Sequence, residues 1–325
     1  MTLGAAPLVA TAEAPVPEGL RAFWHEGSGG ARLRAAIAPS DGPARGGVVL
    51  SPGRTEPIEK YFEVIGELQA RGFWVLAHDW RGQGLSHRPL GDRLKGHAVG
   101  AVEFLDDFRR LLDWAGPELP RPWISLGHSM GATLVAMALN AGERRLAASF
   151  MSAPMMGLSA ARGLPLPAAR LIAGAMIRAG RSEAFVYEGY DPMLGPFESN
   201  ILTHDATRYE RYRAQLRACP DLALGGVTWG WLSFAFDCAA ELTKGAAARA
   251  ADLPLTVVAA GEDQLVLNAP ARRYATLAPQ GRYVEIAGAY HEILMEIDAR
   301  RALVWREFDT LVERAGRLPP SVGRE

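Results

Sequence analysis

Two cysteines in 325 residues, Cys219 and Cys238, are too few for a disulfide framework or a four-ligand zinc site, and they fit a reducing compartment. An excess of one charge is also missing. The 35 basic and 36 acidic residues are mixed along the chain, which removes the electrostatic footprint of a nucleic-acid binder and any basic tail for anionic lipid. Long apolar runs are absent as well. The most apolar later stretch, Leu164 to Gly180, is broken by Pro165, Pro167, Arg170 and Arg178, well short of the roughly 20 apolar residues a membrane span needs. The N-terminus, MTLGAAPLVATAEAPVPEG, lacks the charged start and unbroken apolar core of a secretory signal. Residues 1–20 read as a loose leader, and the expected location is cytoplasmic.

What is present is a globular composition, 49% apolar and 22% charged, on a chain long enough for one large core with an insertion or for two ordinary domains. LRAFWHEG and ARLRAAIAP read as an antiparallel pair around GSGG. GGVVLS and FWVLAHD have little alternation, as expected of strands buried on both faces. Between them Ile58, Phe62, Ile65 and Leu68 recur at helical spacing, with Gly72 as the stop. WISLGH, LAASFMSAP, LPLTVVAAG and GRYVEIAG continue the strands, each separated by helical candidates. Strands alternating with helices predict an α/β fold with a mostly parallel, eight-stranded sheet flanked by helices. The alternation fails between 155 and 245, where helical segments are punctuated by LPLP, YDPMLGP and ACPD. That segment reads as a helical cap inserted in a core formed by 21–154 and 246–318, placed over the C-terminal sheet edge where ligands bind in open α/β folds.

The pentapeptide Gly127-His128-Ser129-Met130-Gly131 follows an apolar strand and precedes an alanine-rich helix. It fits the G-x-S-x-G elbow, in which glycines two before and two after a serine allow a helix to cross close to a strand. The turn lifts the hydroxyl to the top of the sheet and aims a helix N-terminus at it, so the Met130 amide is a candidate oxyanion donor. A serine alcohol needs an imidazole to activate it and an acid to orient that imidazole, which this elbow expects in the order serine, acid, histidine. Of seven histidines, His25, His78, His87 and His97 precede the serine, His128 lies in the elbow and His204 in the cap segment. His291, just beyond the last strand, is in the expected place. Glu262 and Asp263 follow the penultimate strand; Asp263 is preferred and Glu262 is the fallback.

The second oxyanion donor is expected in LSPGRTEP, where Gly53 permits a tight backbone and the Arg54 amide is the candidate. The Arg54 side chain could reach substrate or form a surface pair with Glu56. HDWRGQGLS lacks the helix-opening G-x-G-x-x-G and the Walker lysine, so Asp79, Arg81, Gly82 and Gly84 read as a structural turn. In the cap, Trp229, Trp231, Phe234, Phe236, Leu171, Ile172 and Met176 form apolar stripes. Such stripes are usually core; as a binding wall, Trp229, Trp231, Phe234 and Met176 are the substrate candidates. Arg170, Arg178 and Arg181 suit a transient contact of the cap with a lipid surface.

SPGRTEPIEKY, HDWRGQGLS, GHSMGA, AGEDQLV, AYHEIL and the cap phrases NILTHDATRY and GGVTWGW together resemble the α/β-hydrolase superfamily, in its branch of monoacylglycerol lipases and bacterial lysophospholipases, from about residue 45 to 312. The resemblance implies Ser129 as nucleophile, Asp263 as orienting acid, His291 as general base and the amides of Arg54 and Met130 as oxyanion donors. Pro52-Gly53 stands where many monoacylglycerol lipases have His-Gly. The expected activity is hydrolysis of a small or lipid-like carboxylic ester through an acyl-enzyme, with no cofactor or metal. Amide or peptide cleavage, acyl transfer and perhydrolysis are the rival chemistries, and a ligand-binding protein on the same fold is the rival outside enzymes.

Overall fold

The short apolar runs are strands whose successive side chains feed two different cores. In β4 (Gly46–Ser51) Val48 and Leu50 join one cluster and Val49 the other. Val75 and Leu76 divide in the same way in β5 (Phe73–His78), as do Val257 and Val258 in β8 (Leu255–Ala260). This period-two division is what a sheet covered on both faces requires. One face carries α1 (Phe62–Ala70) and α9 (Asp298–Gly316), with Ile65, Leu68, Val304 and Phe308 packed inward. The other carries α2 (Val102–Ala115), α3 (Met130–Asn140) and α8 (Asn268–Leu277), through Phe108, Leu112, Leu134 and Tyr274.

The chain is described by a computed structural model over residues 2–159, 165–188, 191 and 193–316; the expected C-terminal limit of the core, residue 318, lies outside the described residues. The remaining strands are β1 (Thr2–Ala5), β2 (Arg21–Glu26), β3 (Arg32–Ala38), β6 (Trp123–His128), β7 (Leu146–Ser152) and β9 (Gly281–Ile286). Their order is β1-β2-β3-β5-β4-β6-β7-β8-β9, antiparallel from β1 to β5 and parallel from β5 through β9.

Among the described residues the sheet therefore has nine strands and not the eight expected from sequence. The extra strand comes from the supposed loose leader, which is held in place: Thr2 lies opposite His25 and Ala5 opposite Phe23. Beyond it the Pro7 carbonyl accepts from Arg34 (3.0 Å) and the Val9 amide donates to Glu59 (3.2 Å). A strand this short has no period to read, and its partners are distant in sequence.

Between β7 and β8 lie α4 (Leu166–Arg178), α5 (Ala206–Ala218), α6 (Trp229–Leu242) and α7 (Gly245–Ala250). Asp205 caps α5 by accepting from the Arg208 amide (2.9 Å), and Thr228 caps α6 by accepting from the Trp231 amide (3.2 Å). Among the described residues no helix is long and apolar enough to cross a membrane.

The turn after β5 is organised by Asp79, whose carboxylate accepts from Arg34 Nε (2.8 Å) and from the amides of Ile58 and Leu85 (both 2.9 Å). Arg34 is fully buried and also donates to both oxygens of Glu59, at 2.8 and 2.7 Å. Removing one partner of a buried ion cluster strands the other charges, a loss of about 3–5 kcal/mol. Arg34→Met should lower the urea midpoint of unfolding by an amount equivalent to that loss; a midpoint within error of the parent protein would contradict this account.

Candidate active site

Ser129 joins β6 to α3 in a left-handed backbone conformation (φ 49°, ψ −116°) that a non-glycine residue adopts only under constraint. The glycines on either side explain how the turn closes. A Cβ on Gly127 would lie 2.7 Å from the Ala132 Cα, and one on Gly131 would lie 2.2 Å from the Ser51 carbonyl oxygen and 2.3 Å from that of Pro52. The helix thus starts against the end of β4, with the Met130 amide in its first turn and the Met130 side chain buried.

The structure brings the three distant side chains together. His291 Nε2 lies 2.9 Å from Ser129 Oγ, and His291 Nδ1 lies 2.7 Å from Asp263 Oδ2. Asp263 Oδ1 accepts from the amides of Leu265 (2.8 Å) and Val266 (3.0 Å), which fixes the carboxylate after β8. Burial pushes the Asp263 carboxyl up, but the hydrogen bond and charge of His291, with the two amides, outweigh it and hold it below the ordinary aspartate value. Glu262, the fallback acid, is on the exposed side of the same turn.

The other histidines are engaged elsewhere. His78 Nε2 is 3.0 Å from Ser51 Oγ, His97 Nδ1 is 3.0 Å from Thr228 Oγ1 and His204 Nδ1 is 2.7 Å from Glu296. Burial pushes His25 and His128 down to about 4 and His78 to about 3, so all three are neutral at pH 7. His87 is exposed.

The loop after β4 is braced from several sides. Trp80 Nε1 donates to the Pro52 carbonyl (2.9 Å), Gln83 Nε2 to the Gly53 carbonyl (2.7 Å), and the Gly53 amide to Glu56. Arg54 forms part of the cavity wall beside Ser129. Its guanidinium donates to the Gly225 carbonyl and sits 5.3 Å from the centre of the Trp231 ring, so the surface pair with Glu56 is not formed. Glu56 is instead 2% exposed and turned inward.

Ser129 and His291 open onto a cavity of ≈ 370 Å³. Leu166, Ile172, Val186, Trp229, Trp231 and Phe236 form much of its apolar wall. Two expected wall residues are elsewhere. Phe234 points to the core, stacked on Phe104 at 5.1 Å, and half-buried Met176 lies outside the lining; Phe236, which lines the cavity, is two residues on from Phe234 and so projects from nearly the opposite face of α6. Among the described residues no cluster of three or more His, Cys, Asp or Glu side chains could hold a metal ion.

Residues 42–298 match the family model described as serine aminopeptidase, S33. The chain belongs to this family. A lysophospholipase L2 of Escherichia coli strain K12 is 31% identical over 271 residues, covering 79% of this chain and 77% of that protein. A probable lysophospholipase L2 of Haemophilus influenzae is 26% identical over 252 residues, covering 77% and 78%. Among solved structures, a soluble variant of monoglyceride lipase from Saccharomyces cerevisiae in complex with a substrate analog superposes with a TM-score of 0.73 at 19% identity, over 95% of this chain and 100% of that one. The Paleococcus ferrophilus monoacylglycerol lipase gives 0.68 at 21%, over 86% and 98%. Both share the α/β-hydrolase fold.

In this member of the S33 family, sequence reasoning missed a buried polar group beside the serine. Lys60 Nζ donates to Glu56 Oε1 (2.9 Å) and to Glu292, and Tyr61 donates to Glu56 Oε2 (2.7 Å). Two signals were available: Glu56 and Lys60 are four apart, and Glu292 follows His291 directly.

The elbow makes a sharp structural prediction. Gly131→Ala should lose at least about 1–3 kcal/mol, as overpacking against backbone does, together with most labelling of Ser129 by a fluorophosphonate. Gly66→Ala, in α1 with nothing within 4 Å of the added Cβ, should be neutral or stabilising by up to about 1 kcal/mol. Thermal melts of the two proteins with the label compare them directly.

Proposed function

We propose that this chain is a serine carboxylic ester hydrolase acting on lipid-like esters, with Ser129, His291 and Asp263 as its catalytic groups. The observation that carries the reading is the continuous hydrogen-bonded series from Ser129 Oγ through His291 to Asp263, opening directly onto an apolar cavity. The relatives named as lysophospholipases support the substrate class. An apolar wall suits an acyl chain better than a peptide, whose backbone polar groups would be left without partners there.

In this mechanism Ser129 Oγ attacks the ester carbonyl while His291 Nε2 takes its proton. Asp263 holds the imidazole with its Nδ1–H toward the carboxylate and stabilises the imidazolium that forms. The amides of Met130 and Arg54 receive the oxyanion. His291 then gives its proton to the departing alcohol, and the acyl group stays on Ser129. A water, deprotonated by the same imidazole, attacks the acyl-enzyme, and collapse of the second tetrahedral intermediate returns the proton to Ser129 and releases the acid.

Segment 155–245 is read as the cap that supplies most of the acyl wall. Exposed Leu171 and Ile177 on α4, near Arg170, Arg178 and Arg181, support a transient contact with a lipid surface through that cap.

Ser129→Ala should reduce hydrolysis of p-nitrophenyl esters by several orders of magnitude while the protein stays folded. Rates across a graded series of acyl lengths, with a monoacylglycerol and a lysophospholipid alongside, test the substrate class. A sharp optimum at acetyl or butyryl esters with neither lipid cleaved would rule out lipid-like substrates; full activity of the alanine protein would rule out the nucleophile.

A further inference from the structure

The loop that carries the proposed oxyanion donor and the loop that carries the base come from opposite sides of the serine, after β4 and after β9. Among the described residues, no backbone–backbone hydrogen bond joins them to one another. The buried ammonium of Lys60 does. It sits on a 3-10 turn (Ile58–Tyr61), is 7% exposed, and donates both to Glu56 and to Glu292.

Each carboxylate belongs to one of the two loops. Glu56 Oε2 accepts from the Gly53 amide, one residue before Arg54, and from the Tyr61 hydroxyl. Glu292 follows His291, and its own amide donates to the Leu202 carbonyl (2.9 Å). Both glutamates reach the cavity wall beside Ser129. Also near the ammonium, among the described residues, are the Tyr212 ring from α5, at 4.7 Å, and His128, whose Nε2 is 3.7 Å from Glu56 and whose ring is 4.9 Å from that of His291.

We infer that Lys60 is a positioning residue for hydrolysis, tying the oxyanion loop to the base loop through Glu56 and Glu292 so that donor and imidazole keep their spacing around Ser129. The inference rests on the reading of Ser129 as the nucleophile. Burial pushes the Glu56 carboxyl up, but Lys60, His128 and the Tyr61 hydroxyl outweigh it and hold it at about 2, so it is an anion at working pH. Burial leaves the Glu292 carboxyl above the ordinary glutamate value even against the pull of Lys60. The tie survives either state of Glu292, because an ammonium can donate to an oxygen of a neutral or an ionised carboxyl.

Misplacing a catalytic group by about 1 Å can cost a hundredfold in rate. Lys60→Met is therefore expected to lower kcat by about ten- to a hundredfold on a short p-nitrophenyl ester, with KM changed less than about threefold. Lys60→Arg, which keeps a cation able to bridge two carboxylates, should recover most of kcat. Glu292→Leu cuts the same tie from the other end. The double variant should be close to the worse single variant, since two changes within one link are not additive.

An unchanged kcat in folded Lys60→Met, or effects on kcat that multiply in the double variant, would overturn the inference. If Lys60→Met does not fold, the kcat of Glu292→Leu decides, and a parent-like value overturns it. The parent enzyme and Ser129→Ala are run beside these variants. Serine-independent hydrolysis would count against the proposed function itself, whereas serine-dependent hydrolysis with an unaffected Lys60→Met would count against the tie alone.

Discussion

The first turn of α3 lies against the carbonyls of Ser51 and Pro52, and the placement of Ser129 depends on that contact. It is possible because Gly131 has no side chain, and it forces Ser129 into its left-handed conformation. One close approach thereby sets two things together: the height of the hydroxyl above the sheet, and the distance from the helix N-terminus to the loop that begins at Pro52. The hydrogen bonds of Trp80 and Gln83 to that loop fix the other side of the same contact. Strain in one residue is sustained by the rigidity of a strand end, a helix and a turn that have no other freedom to relax.

Much of this was legible in the sequence because the chemistry needs rare combinations of residues at strand ends. Gly127 and Gly131 flank a serine after WISL, Asp263 follows VVAAG, and His291 follows the last strand; the coordinates bring Ser129, His291 and Asp263 within hydrogen-bond distance of one another. The alternation of Val48, Val49 and Leu50 between two cores has the same origin as the apolar runs that marked the strands. What stayed hidden depends on contacts between distant residues. β1 is too short for periodicity, and only its pairing with β2 makes it a strand. Phe234 and Phe236 are both apolar and two apart on α6, yet one meets Phe104 and the other meets the cavity, a distinction set by how the helix is rotated on the core. Glu56 reads as a surface partner for Arg54 until Lys60, Tyr61 and the Gly53 amide are seen to enclose it.

The helices between β7 and β8 are held unevenly. At one end, Thr203 Oγ1 donates to the Met295 carbonyl (2.7 Å), and Arg208 reaches Glu63, Asp205, Asp298 and the Glu296 carbonyl. These bonds fasten the start of α5 to the segment that follows His291. α4, by contrast, leaves Leu171 72% exposed and buries only Ala173, while Ile172 faces the cavity. Buried apolar area is what holds a helix to its neighbours; of the two helices that line the cavity, α4 buries one residue, whereas α6 buries Trp231, Phe234, Ala235, Cys238 and Leu242, so α4 has less to lose by shifting than α6.

The 3-10 turn that carries Lys60 also carries Glu59, and Glu59 is grasped from the far end of the chain by the Val9 amide and by Arg34, whose guanidinium in turn holds the Pro7 carbonyl. A series of hydrogen bonds therefore runs from the first ten residues, across one buried arginine, to the residue next to Lys60. The N-terminal segment and the ammonium that joins the two loops thus share one anchoring turn, although they are about fifty residues apart in the chain.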